Sequence, residues 1–301
     1  MGLAWQQGPL APGSVGRFLV PDPLPERLLF AEPLRRRMRV RFGGDWIADS
    51  ENVVLLHEPA RYPVAYFPKA DVAPNALQPS DHISQHRDLG LTKWYVVQAE
   101  DREAARGAWE HVELPTYARE LEDRVAFAWR AMDAFYEEDE RILGHAADKY
   151  HRIDIRGTSR RLVARSGEST VADTTRAIVL YESGFAPRWY VAREDIDESA
   201  LTVNKAQTFC PYKGICSYYD IGEALRAAWS YRDAFTEVAR ISDFISFEPD
   251  KITVLVDDKQ LHLEPGQTVV SHGVDRDLTP HELNGHDRAE PPTQPATVAH
   301  T

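Results

Sequence analysis

Both cysteines of the chain fall in one short stretch, Thr208-Phe-Cys-Pro-Tyr-Lys-Gly-Ile-Cys-Ser-Tyr-Tyr219, together with a lysine, a proline and a tyrosine pair. A thiol reacts as its thiolate, and an ammonium as near as Lys213 favours that form, so Cys210 is the candidate nucleophile. Pro211 fixes the backbone and Gly214 tolerates a positive φ, so the stretch reads as a tight turn. A turn cannot bury its polar backbone without partners, which places it at a surface or a cavity edge. Tyr212, Ser217, Tyr219, Trp189, Tyr190 and Trp229 are expected to wall a small pocket with Cys210 and Lys213, their hydroxyl and indole groups orienting a ligand. Alternation puts Ser217 and Tyr219 on one face of their strand and Tyr218 on the other, and only one of Trp189 and Tyr190 can join the pocket. The plainer reading makes Cys210 a small buried hydrophobe, Lys213 a surface residue and the aromatics core.

Other constellations carry less. Cys210 and Cys216 are separated by five residues, close enough for a turn to join them, but a reducing compartment rarely keeps a disulfide. Two cysteines fall short of the four ligands that zinc usually takes. His82 and His86 have the i, i+4 spacing of helical metal ligands, but their surroundings read as loop or strand, which makes them solvated polar residues. His281 to His286 has one residue too many for a zincin pattern, and Asn-Gly breaks the helix it needs. Asp195 and Asp197 resemble a carboxylate pair for divalent metal, yet the chain has no phosphate-cradling Gly-Lys-Ser/Thr loop and no dinucleotide glycine fingerprint, so they read as a charged strand end or turn. No Gly-x-Ser-x-Gly elbow is present. No metal or cofactor is expected.

The elements that hold the motif come in duplicate. Trp46-Ile-Ala-Asp-Ser50 and Val53 to Glu58 return as Thr170-Val-Ala-Asp-Thr174 and Ala177 to Glu182, at an offset of 124. The offset holds to about Gly90, matched by Gly214, and then becomes 120, with Trp109 matching Trp229 and Phe127 matching Phe247. Such periodicity marks a duplicated domain. In each copy short β-branched or aromatic runs are bounded by Pro, Gly or charge: Arg39–Phe42, Val53–Leu56, Val64–Phe67 and Trp94–Val97, then Arg161–Ala164, Ile178–Tyr181, Arg188–Val191 and Tyr218–Ile221. Gly43-Gly44 reads as a hairpin turn. Arg102–Ala108, Ile221–Ala228 and Glu237–Ile241 read as short helices. The fold class expected is mainly β, two tandem copies of a small antiparallel domain. Its parts are an arm (1–37), a first copy (38–143), a linker (144–157), a second copy (158–262) and a tail (263–301) whose Pro, Gly and polar content suggests disorder. The two copies are expected to pair within the chain, as duplicated domains mimic a symmetric dimer.

The chain has 301 residues, is 43% hydrophobic and carries a net charge of −12. Acidity removes the basic footprint that nucleic acid or an anionic membrane requires. Arg35-Arg36-Arg37 is expected to dock on the acidic body. The first residues lack a basic region followed by an apolar one and no run is long enough to span a bilayer; two cysteines make no disulfide scaffold, and a reducing cytoplasm is the default expectation.

Tyr62-Pro-Val-Ala-Tyr-Phe-Pro-Lys-Ala-Asp71, Phe135 to Glu140, Cys210 to Gly214 with Ser217-Tyr-Tyr219, and Ala227-Ala-Trp-Ser-Tyr231 together resemble the bacterial domain-of-unknown-function family 427 in tandem form, over roughly residues 38–260. The resemblance implies a tent-like antiparallel β domain and carries a provisional nucleotidyltransferase label without a residue-level mechanism. The first copy departs from the pattern. His86-Arg-Asp-Leu-Gly90 stands for Cys210-Pro-Tyr-Lys-Gly214, Thr92 for Cys216 and Trp94-Tyr95 for Tyr218-Tyr219. Motif chemistry therefore belongs to the second copy or to an asymmetric site of both. Three functions fit: a module binding a small polar or aromatic ligand in the second copy, which is favoured; an enzyme, thiol-dependent or nucleotidyltransferase-like; and an interaction protein without a small-molecule site.

Overall fold

The computed structural model describes residues 27–58, 61–146 and 148–262, together with 19 and 25. The expected tail, 263–301, and most of the expected arm lie outside them. Between Asp148 and Lys149 the chain divides into two compact units, each holding one copy of the repeat.

The first unit contains β1 (Phe30–Pro33), β2 (Met38–Phe42), β3 (Asp45–Ser50), β4 (Val54–His57), β5 (Val64–Pro68), β6 (Leu77–His86), β7 (Gly90–Ala99), β8 (Arg102–Val112), β9 (Arg124–Phe127), β10 (Ala134–Glu137) and β11 (Glu140–Ile142). They form a seven-stranded sheet in the order β1-β4-β5-β9-β8-β7-β6 and a four-stranded sheet in the order β11-β10-β2-β3. The second unit contains β12 (Ile153–Gly157), β13 (Leu162–Ser166), β14 (Ser169–Thr174), β15 (Ile178–Glu182), β16 (Arg188–Val191), β17 (Leu201–Cys210), β18 (Gly214–Ile221), β19 (Ala224–Ser230), β20 (Ile245–Phe247), β21 (Thr253–Val256) and β22 (Lys259–Gln260). Its sheets run β12-β15-β16-β20-β19-β18-β17 and β14-β13-β21-β22. The strand orders are the same in the two units, so the duplication seen in sequence is a duplication of fold. The first sheet opens at Phe30, ahead of residue 38, because β1 pairs along β4; β12 likewise opens the second sheet ahead of residue 158. Arg36 and Arg37 dock on acidic residues, Arg36 on Glu137 and Arg37 Nε on Asp49 Oδ1 at 2.7 Å.

The central strands of each seven-stranded sheet are buried on both faces. In the second unit one face packs against the four-stranded sheet through Val179, Trp189, Val191, Ala228, Ile245 and Phe247. The opposite face holds Leu180, Tyr190, Cys216, Trp229 and Tyr231 and is covered by the 3-10 turn Thr236–Ile241. The first unit repeats this with the turn Thr116–Leu121 over Leu56, Tyr66 and Ala126. Burial on both faces explains why β4 and β16 show no apolar–polar alternation.

Helical structure among the described residues is confined to 3-10 turns of three to six residues. Two sequence expectations fail here. Arg102–Ala108 belongs to β8 and Ile221–Ala228 to the β18–β19 hairpin. Their alanine, arginine and glutamate favour helix locally, but Arg102–Ala108 pairs with β7 and Ala224–Ala228 with β18, and strand pairing overrides a weak propensity. Among the described residues no helix is long and apolar enough to cross a membrane.

Candidate functional site

Pro211, Tyr212 and Lys213 form the loop of the β17–β18 hairpin, closed by the pair Cys210↔Gly214, with Gly214 at φ +99°. A three-residue hairpin loop needs a left-handed residue at this place, which glycine adopts without strain. The loop lies over the outer face of the sheet, beside Tyr190, Trp229 and Tyr231, and Cys210 sits partly exposed at its edge.

Lys213 does not stay at the surface. It is buried, and Nζ donates to Glu182 Oε2 at 2.5 Å. The other oxygen of Glu182 meets His151 Nε2 at 2.9 Å, and the Tyr212 ring stacks on His151 with centroids 3.8 Å apart. Burial opposes charge on Glu182, but Lys213 and His151 outweigh it and draw its pKa down to about 2. Burial also opposes charge on Lys213, and Cys210, Glu182 and Tyr190 outweigh it, so the ammonium is held well above its usual range. The surroundings oppose an activated thiol at Cys210. Burial pushes Cys210 up and exceeds the pull of Lys213, whose charge faces Glu182. Cys216 is fully buried, and burial pushes its thiol up to about 12.

The structure brings Cys210, Tyr212, Lys213, Tyr190 and Trp229 to one face, with Trp229 Nε1 donating to Tyr190 Oη at 3.4 Å. It sends Trp189 and Tyr219 to the core between the sheets. Of the tyrosine pair, Tyr218 takes the motif face, its hydroxyl 2.9 Å from Thr208 Oγ1. Ser217 pairs with Gln207 across β17–β18 and accepts from Gln207 Nε2 at 3.1 Å. Glu182, His151 and Tyr231 went unselected in the sequence. A signal for Glu182 was present, because an acid follows the same apolar run in both copies.

The first copy keeps the same construction with other side chains. Glu58 stands for Glu182 and is buried. His86 Nε2 lies 3.0 Å from Glu58 Oε2, and Arg27 Nη2, at the repeat position of His151, reaches the same carboxylate at 3.3 Å. His86 is thus hydrogen-bonded to a buried carboxylate rather than a solvated residue; His82, on the same strand, is exposed. His86 Nδ1 accepts from the backbone N–H of Asp88 and of Leu89, each at 3.1 Å. Cys210 receives backbone hydrogen bonds from the equivalent Tyr212 and Lys213. One histidine in the first copy therefore does what cysteine and lysine share in the second: it caps the turn and sets an N–H against a buried carboxylate. Behind it His111, at the place of Tyr231, bridges Tyr66 Oη at 2.8 Å and Thr92 Oγ1 at 3.0 Å.

The carboxylate pair is used locally. Asp195 accepts from Thr174 Oγ1 at 2.6 Å and from Arg176 Nη2 at 2.5 Å, and Asp197 accepts from Ser199 Oγ at 2.6 Å. Asp195 ends a 3-10 turn and Asp197 precedes another, so neither lies on a strand. Among the described residues no group of three or more His, Cys, Asp or Glu side chains is placed to hold a metal ion.

The fold and this twice-built polar face define a tandem β protein in which a hairpin turn covers a buried carboxylate. A family model described as "Domain of unknown function (DUF427)" matches residues 30–138 and again 154–258, well over half of the chain, and the chain belongs to that family in two-copy form. No curated protein matches the chain.

Proposed function

We propose that the chain is a binding module whose second copy holds a small polar or aromatic ligand at the turn formed by Pro211, Tyr212 and Lys213. The observation that supports this is the buried Lys213–Glu182 pair with His151, set among aromatic walls and covered by one stacked ring. A buried ion pair contributes little to stability compared with apolar residues of similar volume. A few charged groups among aromatic walls are the pattern of a ligand site. A ligand ring taking the place of Tyr212 on His151 would present its polar edge to Lys213 and Glu182. The enzyme readings have less support, since burial disfavours the Cys210 thiolate and Asp195 and Asp197 are engaged by neighbours. Two free thiols suit a reducing bacterial cytoplasm as the setting.

The test is a thermal-shift screen of small aromatic and polar compounds against the wild type, Tyr212→Ala and Lys213→Met. A ligand at a hundredfold excess over its Kd should raise the wild-type Tm by about 5–10 °C. The rise should vanish in Lys213→Met and shrink in Tyr212→Ala. If no compound shifts the wild type, or if a shift survives both substitutions, this site is not the binding site.

A further inference from the structure

The two copies differ at a buried position on the other face of the seven-stranded sheet. In the first copy Glu110 of β8 is buried, and its carboxylate accepts from Tyr95 Oη and pairs with Lys69 Nζ. Tyr95 lies opposite Ala108 and Lys93 opposite Glu110, so Tyr95 and Glu110 are diagonal neighbours on one face.

In the second copy the corresponding residues are Tyr219, Ser230 and Arg193. The register repeats, with Tyr219 opposite Ala228 and Ser217 opposite Ser230. Ser230 is 0% exposed, and its Oγ has no hydrogen-bond partner among the described residues. Arg193 Nη2 donates to Tyr219 Oη at 2.6 Å, which leaves the hydroxyl hydrogen of Tyr219 without an acceptor among the described residues. The guanidinium is also met by Asp243 at 2.7 Å and Glu198 at 3.4 Å, both carboxylates more than half exposed. A guanidinium and two buried hydroxyls therefore remain where the first copy has a carboxylate, and the side chain that would carry that carboxylate is a serine. Buried hydroxyl donors left without acceptors cost free energy that a matching acceptor would recover.

We propose that the Arg193–Tyr219–Ser230 cluster binds the carboxylate of a small external molecule, with Glu110 of the first copy marking the chemistry of the missing group. Tyr219 and Ser230 supply the two hydroxyl donors, and Arg193 supplies charge-assisted donors, the strongest for a carboxylate. The cluster is on the face opposite Tyr190 and Trp229 and stands whether or not the Tyr212 site takes a ligand.

The experiment uses the full chain with acetate and formate as probes and chloride at matched ionic strength as the control. Acetate or formate should raise the wild-type Tm by a few degrees beyond chloride. Ser230→Glu should supply the carboxylate from within, raise Tm, and abolish the acetate response. Glu110→Ser should lower Tm and gain a response to acetate or formate that restores much of the loss. Ser230→Ala, which removes the hydroxyl donor, should weaken the wild-type response. The proposal is overturned if acetate and formate act no differently from chloride on both the wild type and Glu110→Ser. It is also overturned if Ser230→Ala leaves the acetate response unchanged, as when an ordered water satisfies the cluster.

Discussion

His111 is a side chain whose charge the fold directly opposes. Burial, with His86 close by, pushes its pKa down to about 4, against an ordinary value of about 6.5. The unfolded chain therefore takes up a proton at pH 6.5 that the folded chain refuses until about pH 4. Stability contributed by neutral His111 is complete above pH 6.5 and is lost as pH falls through that window, by about 3 kcal/mol at its lower end. His111→Gln should flatten urea-derived stability between pH 6.5 and 4, while the wild type declines. An equal decline in both would assign the acid sensitivity elsewhere. Glu182 acts in a lower window. Its depressed pKa gives stability that is complete above the ordinary carboxylate range and lost as pH falls toward about 2. Acid weakening should therefore begin at His111 in the first copy, before the Lys213–Glu182 pair of the second is touched.

At the scale of elements, the two motif hairpins share one demand, a left-handed residue where the second strand begins. Gly90 has φ +81° and Gly214 φ +99°. The surroundings make the two unequal. A Cβ on Gly90 would meet the carbonyl oxygen of Glu113 at 2.7 Å and that of Val112 at 2.9 Å, both backbone. A Cβ on Gly214 would meet the carbonyl of Asp233 at 3.2 Å, a contact that a small shift relieves. The left-handed backbone alone costs an alanine about 1 kcal/mol. Gly214→Ala should destabilise by about that much, and Gly90→Ala by more than about 2 kcal/mol, because two strands must separate to admit the methyl group. Urea midpoints of the two variants check the order, and equal losses would show that the contacts at Gly90 relax freely.

At the scale of the molecule, each unit carries a complete set of parts: two sheets, a core between them, and a second core under a 3-10 turn. A domain with its own core can fold alone. Fragments 20–148 and 149–262 should each give a cooperative urea transition and the β-type circular dichroism of the whole. A fragment that melts without cooperativity would show that its cores depend on the other half. The duplication also permits exchange of parts, since Glu110 and Ser230, or His86 and Cys210 with Lys213, are alternative solutions at equivalent places. The carboxylate-rescue experiment tests one such exchange.

The sequence by itself determined the duplication, most strands, and the hairpin turns at Gly90 and Gly214. Repeats are read along the chain, and a glycine forced to positive φ is a local backbone requirement. It also placed Tyr190, Tyr212, Lys213 and Trp229 in one neighbourhood. Only the tertiary structure decided which face each strand turned to that neighbourhood. Strand β18 set Tyr218 there and Tyr219 in the inter-sheet core, because register is fixed by pairing with β17 and β19 and an irregularity interrupts each pairing. It turned Lys213 inward, since the carboxylate that makes burial tolerable lies 31 residues away in sequence. Local preference for helix at Arg102–Ala108 gave way to strand because β7 supplies backbone partners along it, from Ala99 opposite Arg102 to Tyr95 opposite Ala108. Whether Cys210 would be reactive was likewise a question of surroundings: Lys213 is near in sequence, but its charge is directed at Glu182 and burial of the thiol prevails.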